Sequence, residues 1–421
     1  MEDPAVAELP LAELDIISNQ GFGTNGYPHA AWARLRREAP VHWNTKHVEN
    51  PFWAITKHAD ILAISKQPEL FHNGPRLAVI PGFNVTAGSG DGGGFARHLL
   101  NMDPPEHASY RRLVSHRFTP RGLARMTRDI ETITAELLDA MAGDGSDQVG
   151  DFVERLSAPL PLSVLAELLG VPREMWPTMF RWTNQIAGAT DPEYQSEGDA
   201  GATADQARNQ LFEYFARLAI ERRERPSDDI ASVVANAKLG DAPLPIFEML
   251  SYYFLLVVAG NETTRNAMTG GLLALIENPG ELRKLRANPG LIDSAVEEIV
   301  RWTTPVNQFC RTPIRDVEVR GTKIRAGENL CLFYPSANRD EEVFADPFAF
   351  RIDRSPNRHL AFGIGEHFCL GANLARLELR VVFRQLAARI ERVELAGRVE
   401  RLHSSFLGGI KRMPIRWRLR A

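Results

Sequence analysis

The sequence predicts a mainly α-helical protein with small β-sheets, an α+β fold. Its longest continuous helical pattern covers residues 243–278 and would be roughly 50 Å long at 1.5 Å per residue. Helical periodicity also dominates residues 127–223. By contrast, apolar residues alternate over residues 306–333, with turns at Arg320-Gly321 and Ala326-Gly327, which is typical of hairpins.

Shorter elements are predicted towards both ends of the chain. Two strands around a turn are expected at residues 41–43 and 52–56, followed by a short helix at residues 58–65. Two more strands are expected at residues 393–395 and 414–418.

Residues 75–100 form a long irregular segment that is rich in glycine and proline. A loop this long inside a compact protein is usually functional or disordered. It also contains Ile80, Phe83 and Val85, which a merely solvated loop does not need. These side chains favour a mobile lid that covers an apolar pocket, rather than plain disorder.

Composition and charge narrow the class of protein. The chain has 421 residues, of which 44% are hydrophobic and 24% charged, an ordinary balance for a protein with a large core. Its net charge of −4 gives no indication of nucleic-acid binding. The acidic N-terminus does not resemble a signal peptide, and the longest apolar run, residues 252–260, is roughly half of a bilayer span. With only three cysteines, we expect a cytoplasmic protein that does not bind a membrane.

One cysteine stands in an unusual loop. Residues 359–371, HLAFGIGEHFCLG, combine two glycines spaced by one residue with His367 and Cys369, and a helical pattern begins directly after Gly371. Backbone N–H groups at a helix start favour negative charge, which biases Cys369 towards thiolate. Such a thiolate is a nucleophile, a redox thiol or a metal ligand, and we favour a metal ligand.

The middle of the long helical pattern, LLVVAGNETTRNAM, is also unusual. Gly260 and the adjacent Thr263 and Thr264 lower helix stability, and a threonine hydroxyl competes for the carbonyl oxygen four residues back. Two interpretations are equally supported here. Either a core helix emerges into solvent at Asn261, or a groove beside Gly260 holds a hydroxyl and the Glu262 carboxylate for proton delivery.

Two further polar pairs are weak signals when taken alone. His107 and Arg111 share one face of a helix that begins after Pro104-Pro105, as either a surface pair or an anion site. Glu298 and Arg301 lie three residues apart among apolar neighbours, so their pair is either exposed or buried and fully satisfied.

Together and in this order, the motifs resemble the cytochrome P-450 haem–thiolate monooxygenases of the soluble bacterial type. Residues 362–371 fit the haem loop, residues 259–264 fit the oxygen-activation motif, and Glu298 and Arg301 fit the Glu-x-x-Arg pair, with Arg354 as its third member. The resemblance covers essentially the whole chain. It implies one cytochrome P-450 domain over residues 1–421, with β-rich parts at about 41–56, 306–333 and 393–419.

The resemblance also implies roles for individual residues. Cys369 would be the proximal thiolate ligand of haem b (iron protoporphyrin IX), on a loop that includes Phe362 and Gly371. Thr263 and Glu262 would supply protons to bound dioxygen, with room left by Ala259 and Gly260. Carboxylates of the haem would be bound by His107, Arg111, Arg311 and His367.

The implied reaction is insertion of one oxygen atom of O2 into a hydrophobic small molecule by a monomeric enzyme. Electrons would come from a ferredoxin and its reductase, through a basic patch containing Arg112, Arg376 and Arg380. Terpenoid, alicyclic or aromatic substrates are the first choice, and steroids or branched lipids the second. The expected apolar pocket consists of Ile80, Phe83, Val85, Leu99, Leu256, Val306, Phe309, Phe406 and Leu407.

Several alternatives compete with this assignment. A zinc site at His359, His367 and Cys369 lacks a fourth ligand and the usual spacing, and no His/Asn partner is evident for a cysteine nucleophile. A peroxide-driven peroxygenase would not need the Glu262-Thr263 pair, which this chain has. A haem-binding sensor without catalytic activity would need haem but no proton relay.

Overall fold

The computed structural model describes residues 4–82, 97–195 and 199–420. Within these residues the chain is mainly helical. The helices are α1 Pro4–Ala7, α2 Asn19–Asn25, α3 His29–Glu38, α4 His58–Ser65, α5 Glu106–Ser115, α6 Pro120–Leu123, α7 Met126–Ala142, α8 Pro159–Leu169, α9 Trp176–Ala187, α10 Ala200–Glu224, α11 Ile230–Ala235, α12 Ile246–Glu277, α13 Pro279–Ala287, α14 Ile292–Thr303, α15 Tyr334–Ala337 and α16 Ala372–Arg389.

Short strands complete the fold and confirm the predicted mixture of helices and small sheets. The strands are β1 Val41–Asn44, β2 Phe52–Ile55, β3 Phe71–His72, β4 Gln148–Asp151, β5 Lys238–Leu239, β6 Ala242–Pro243, β7 Gln308–Pro313, β8 Val317–Val319, β9 Thr322–Ile324, β10 Leu330–Phe333, β11 Ile390–Leu395, β12 Glu400–Arg401, β13 Ile410–Arg412 and β14 Pro414–Leu419.

The 32-residue helix α12 forms the centre of the helical part. It packs against α8, α9, α10, α14 and α16, and most of its side chains are buried. Such burial on nearly all sides explains why its sequence is apolar around most of its circumference. The helix begins three residues later than predicted, because Ala242-Pro243 pairs with Lys238-Leu239 in a small hairpin.

The strands assemble into sheets that join distant parts of the chain. The largest has the order β1-β2-β10-β7-β3, and a second has the order β11-β14-β4. Strand β4 lies in a stretch that the sequence predicted as mostly helical. Its sequence, QVGD, is short and polar, and its pairing with β14 comes from residues more than 260 positions away. The predicted lid falls largely on residues 83–96, outside the described residues.

The pair Glu298–Arg301 is buried, and a network of hydrogen bonds satisfies it. Arg301 Nε and Nη2 donate to the Glu298 carboxylate over 2.7 and 2.8 Å. Arg354 Nε adds bonds of 3.2 and 3.1 Å, and Asn357 Nδ2 adds one of 3.1 Å. The network ties α14 to residues 351–357, which lead into the cysteine loop.

Among the described residues, no helix combines the length and the apolar character that a membrane crossing requires.

Replacing the buried Glu298 by glutamine should destabilise the fold strongly. Glu298→Gln leaves two buried guanidinium groups without their carboxylate, which typically costs about 3–5 kcal/mol in the free energy of unfolding. Asp293→Asn is the control, because Asp293 lies on the same helix and forms an exposed ion pair with Arg380. Its replacement should lower the free energy of unfolding by less than about 1 kcal/mol. Urea denaturation measures both, and equal losses would contradict this account.

Candidate active site

The loop that carries Cys369 has a backbone shape that requires glycine. Gly363 and Gly365 have φ values of 67° and 79°, in the left-handed region. A Cβ at Gly365 would lie 2.3 Å from the Ser65 carbonyl oxygen. The Cys369 N–H donates to the Phe362 carbonyl over 2.8 Å, which closes the loop before α16 begins. The glycine spacing noted in the sequence therefore sets the position of the cysteine.

Cys369 is exposed at a position that is surrounded by other protein atoms. The residue is exposed, yet burial by surrounding atoms raises the pKa of its thiol above the usual value. Hydrogen bonds from the backbone of Gly371 and Ala372, and the charges of Arg111 and Arg376, act in the opposite direction but are weaker. The thiolate bias expected from the helix start is therefore outweighed by desolvation. A bound metal cation would reverse this balance, because a coordinating thiol is deprotonated.

A second opening lies in the middle of α12. Ala259 is exposed and Thr263 half-buried, although Val257, Asn261 and Glu262 beside them are buried. The Thr263 hydroxyl donates to the Ala259 carbonyl over 2.8 Å. This confirms the predicted competition for carbonyl oxygens four residues back, yet the helix continues without a break.

Gly260 allows α12 and α8 to pack closely. A Cβ at this position would lie 3.3 Å from Leu165 Cδ1. The side of Gly260 that lacks a side chain therefore faces α8. It is Ala259 and Thr263 that border the open space.

Glu262 is buried on a different side of the helix from this opening. Its carboxylate forms an ion pair with Arg265, and Arg265 Nη1 donates to Asn184 Oδ1 of α9 over 2.9 Å. Burial raises the pKa of the Glu262 carboxyl. Among the described residues, its Oε1 atom has no hydrogen-bond partner. Glu262 and Thr263 are neighbours in sequence, but they face different surroundings.

Four cationic or imidazole side chains converge beside the cysteine loop. His107 and Arg111 come from α5, Arg311 from β7 and His367 from the loop itself. The His107 and His367 rings are 4.1 Å apart. Burial and the charges of Arg311, His107 and Arg111 lower the pKa of His367 to about 2.

The hydrogen bonds of this group are incomplete. Arg111 Nη2 donates to the Phe368 carbonyl over 2.6 Å, and Arg311 Nη1 to the Cys310 carbonyl over 2.6 Å. His107 Nδ1 is 2.9 Å from Glu366 Oε1, a contact that the sequence analysis missed. Within the described part of the chain, the buried Nε2 atoms of His107 and His367 have no partner. This donor set fits the carboxylates of a haem, which need charge-assisted hydrogen bonds when buried.

Part of the predicted apolar pocket is brought together by two loops. Val306 and Leu407 form a β-bridge, and the rings of Phe309 and Phe406 are 5.6 Å apart. The remaining predicted members are dispersed. Leu99 and Leu256 are buried in the main core, Ile80 borders a small cleft with Arg76 and Asn329, and Phe83 and Val85 lie outside the described residues.

Two of the three arginines of the expected basic patch are ion-paired. Arg376 makes two bonds of 2.6 and 2.9 Å to Glu297, and Arg380 lies 3.3 Å from Asp293. Arg112 is exposed and bonds to Ser109 Oγ over 3.1 Å. The cationic character of this face is therefore weaker than the sequence suggested.

Comparison with known proteins agrees with a haem site at the Cys369 loop. The family model "Cytochrome P450" matches residues 83–391. A methyl-branched lipid omega-hydroxylase of Mycobacterium tuberculosis is 38% identical over 97% of this chain and 96% of its own. Cytochrome P450-terp of a Pseudomonas species is 36% identical over 96% of both chains. A steroid C26-monooxygenase of Mycobacterium tuberculosis is 38% identical over 91% of this chain and 88% of its own.

Solved structures agree with these relatives. CYP108D1 from Novosphingobium aromaticivorans has a TM-score of 0.85 at 36% identity, covering 96% of this chain and 97% of its own. The Mycobacterium marinum cytochrome P450 CYP268A2, solved with pseudoionone, has a TM-score of 0.88 at 33% identity, covering 97% and 99%. The chain therefore belongs to the cytochrome P450 family of haem–thiolate monooxygenases.

Proposed function

We propose that this monooxygenase inserts one oxygen atom of O2 into a hydrophobic small molecule, and that the Cys369 thiolate would hold haem b. The observation that carries the proposal is the exposed Cys369 on its loop, beside two histidines whose Nε2 atoms have no partner among the described residues. When bound, haem supplies the activation of dioxygen and the oxidation of the substrate. The protein binds and orients the two reactants and controls the supply of protons.

His107, Arg111, Arg311 and His367 would bind the haem carboxylates. Within the described part of the chain, the Nε2 atoms of both histidines have no partner. Because the His107 Nδ1–H donates to the Glu366 carboxylate over 2.9 Å, His107 Nε2 also donates only when the ring is protonated. The two guanidinium groups add positive charge beside them, and burial together with these charges lowers the pKa of His367. A carboxylate bound here would accept from the two guanidinium groups, and from a histidine ring that becomes protonated beside it.

Thr263 is the proposed proton-passing group, because its hydroxyl borders the open space beside Ala259. Rotation about one bond would let this hydroxyl donate into the space instead of to the Ala259 carbonyl. Glu262 is the proposed proton reserve, since burial raises the pKa of its carboxyl. Its ion pair with Arg265 must open, and the carboxyl must take up a proton, before it can supply one to Thr263.

The proposed substrate is apolar, because Val306, Phe309, Phe406 and Leu407 meet in one cluster. We propose terpenoid, alicyclic or aromatic compounds first, and steroids or branched lipids second. Relatives named for a methyl-branched lipid and for a steroid C26 position support the second group as well.

A ferredoxin and its reductase are the proposed electron donors. Arg112 is an exposed cation of the proposed docking face, whereas its other two proposed members, Arg376 and Arg380, are ion-paired with Glu297 and Asp293. We further propose that residues 1–421 form one domain that acts as a monomer in the cytoplasm.

The electron source separates this proposal from its two alternatives. Haem-loaded protein, with a hydrophobic compound that shifts its Soret band, should form product with NADH, ferredoxin and reductase. Hydrogen peroxide alone should give little product, because the chain keeps a hydroxyl and an acid for proton delivery. Equal turnover with peroxide alone would indicate a peroxygenase, and haem binding without turnover in either system would indicate a sensor.

The role of Thr263 predicts uncoupling when its hydroxyl is removed. Thr263→Ala should keep substrate affinity but strongly lower the product formed per O2 consumed, because a proton-transfer group contributes about 10²–10⁴-fold to a rate. The measurement compares oxygen consumption with product yield.

Thr264→Ala is the matched control, because Thr264 also donates to a carbonyl of α12, that of Gly260, but is buried. Its coupling should stay near that of the unmodified enzyme. Unchanged coupling in Thr263→Ala would remove Thr263 from the mechanism.

A further inference from the structure

A second cavity lies on the other side of the loop that carries Phe406 and Leu407. It has a volume of about 330 Å³ and is lined by residues of α2, α12, α14 and strands β12 and β13. Ser404, Gly408 and Gly409 line this cavity, and Phe406 of the same loop contacts Phe309 of the proposed substrate pocket.

The same face of α12 borders both spaces. Ala259 and Thr263 face the first opening, and Asn266, Gly270 and Ala274 line the second cavity. Residues spaced by three and four lie along one side of a helix. Asn266 therefore stands one turn beyond Thr263, where the second cavity begins.

Asn266 is an unpartnered polar side chain in the wall of this cavity. It is only 3% exposed, and neither its Oδ1 nor its Nδ2 atom has a hydrogen-bond partner within the described residues. Two more wall residues have buried nitrogens that find no partner among the residues the structure describes, His29 at Nδ1 and Arg339 at Nε. Buried polar groups are normally satisfied, so this concentration indicates a bound polar partner.

The charge of the cavity wall favours an anion. Arg339 donates to the backbone carbonyls of Arg301 and Trp302, and the salt bridges of the described residues give it no carboxylate. Arg401, at the wall, likewise has no ion pair in the described part of the chain. Burial, followed by the charges of Arg339 and other arginines including Arg401, lowers the pKa of His29. The acidic residue of the wall is Glu277, which is exposed.

The remaining wall is aromatic and suits a planar ring. Phe22, Tyr27, Trp302 and Phe348 line the cavity, and the Arg339 guanidinium lies 4.3 Å from the Trp302 ring centroid. Aromatic walls favour flat apolar groups through offset and edge-to-face contacts. A ring with one carboxylate matches this combination of aromatic surface, arginine and unpaired amide.

We propose that this cavity is a second ligand site, which binds a small aromatic carboxylate separately from the substrate. Arg401 and the Asn266 amide hold the carboxylate, and the aromatic residues hold the ring. The site is independent of the proposed monooxygenase chemistry, because none of its wall residues belongs to the cysteine loop.

Benzoate is the probe for this site. In equilibrium dialysis of the haem-loaded protein, one benzoate should bind per chain without a change in the Soret band. Benzamide, which has no charge, should bind about 10-fold more weakly, the scale of one charge-assisted hydrogen bond. A hydrophobic compound that shifts the Soret band should not displace benzoate. Absence of bound benzoate at millimolar concentration, or displacement by that compound, would overturn the proposal.

Variants locate the bound benzoate within the molecule. Arg401→Gln and Asn266→Leu should each weaken benzoate binding by about 10-fold or more. Arg412→Gln is the matched control, because Arg412 lies on the neighbouring strand and pairs with Glu193 and Glu400 outside the cavity. If Asn266→Leu does not fold, Arg401→Gln decides alone. Equal affinity in Arg401→Gln and Arg412→Gln would overturn the proposal.

Discussion

The position of the cysteine depends on the buried ion pairs of the Glu298 carboxylate. This carboxylate is held by Arg301 and Arg354, and Arg301 also donates to the Asn338 carbonyl over 2.8 Å. The Asn338 side chain then accepts from the Leu360 N–H over 2.7 Å, directly before the glycine bends. A buried ion pair contributes little net stability unless every partner is satisfied. Here its geometry connects α14 with the start of the loop.

The neighbouring carboxylate, Glu297, fixes the same loop from its other side. It accepts from Arg376 of α16 and lies 3.0 Å from His359 Nε2. These partners lower the pKa of Glu297 to about 2, which keeps it charged at neutral pH. The Arg376 guanidinium lies 4.5 Å from the Phe362 ring centroid. Two adjacent carboxylates of one helix therefore hold the segment before Cys369 and the helix after it, so the thiol is presented on a rigid support.

Local sequence chemistry predicted the features that depend on a few neighbouring residues. The glycine bends, the helix after Gly371 and the threonine bond to Ala259 follow from backbone sterics and short-range hydrogen bonds. Features that depend on distant partners were not predictable in this way. The Asp293 and Glu297 partners of Arg380 and Arg376, the pairing of β4 and the orientation of Glu262 arise only when remote segments pack together. The raised thiol pKa of Cys369 has the same origin, because desolvation comes from the whole surrounding structure.

The central claim is that Cys369 is the thiolate ligand of a haem, and the ferrous carbonyl spectrum tests it most directly. The unmodified protein, reduced and exposed to carbon monoxide, should give the red-shifted Soret band of thiolate-bound haem. Cys369→Ala should lose this band, because no other group on the loop can supply a thiolate. A purified protein that binds no haem, or a Cys369→Ala variant that keeps the thiolate-type band, would contradict the account.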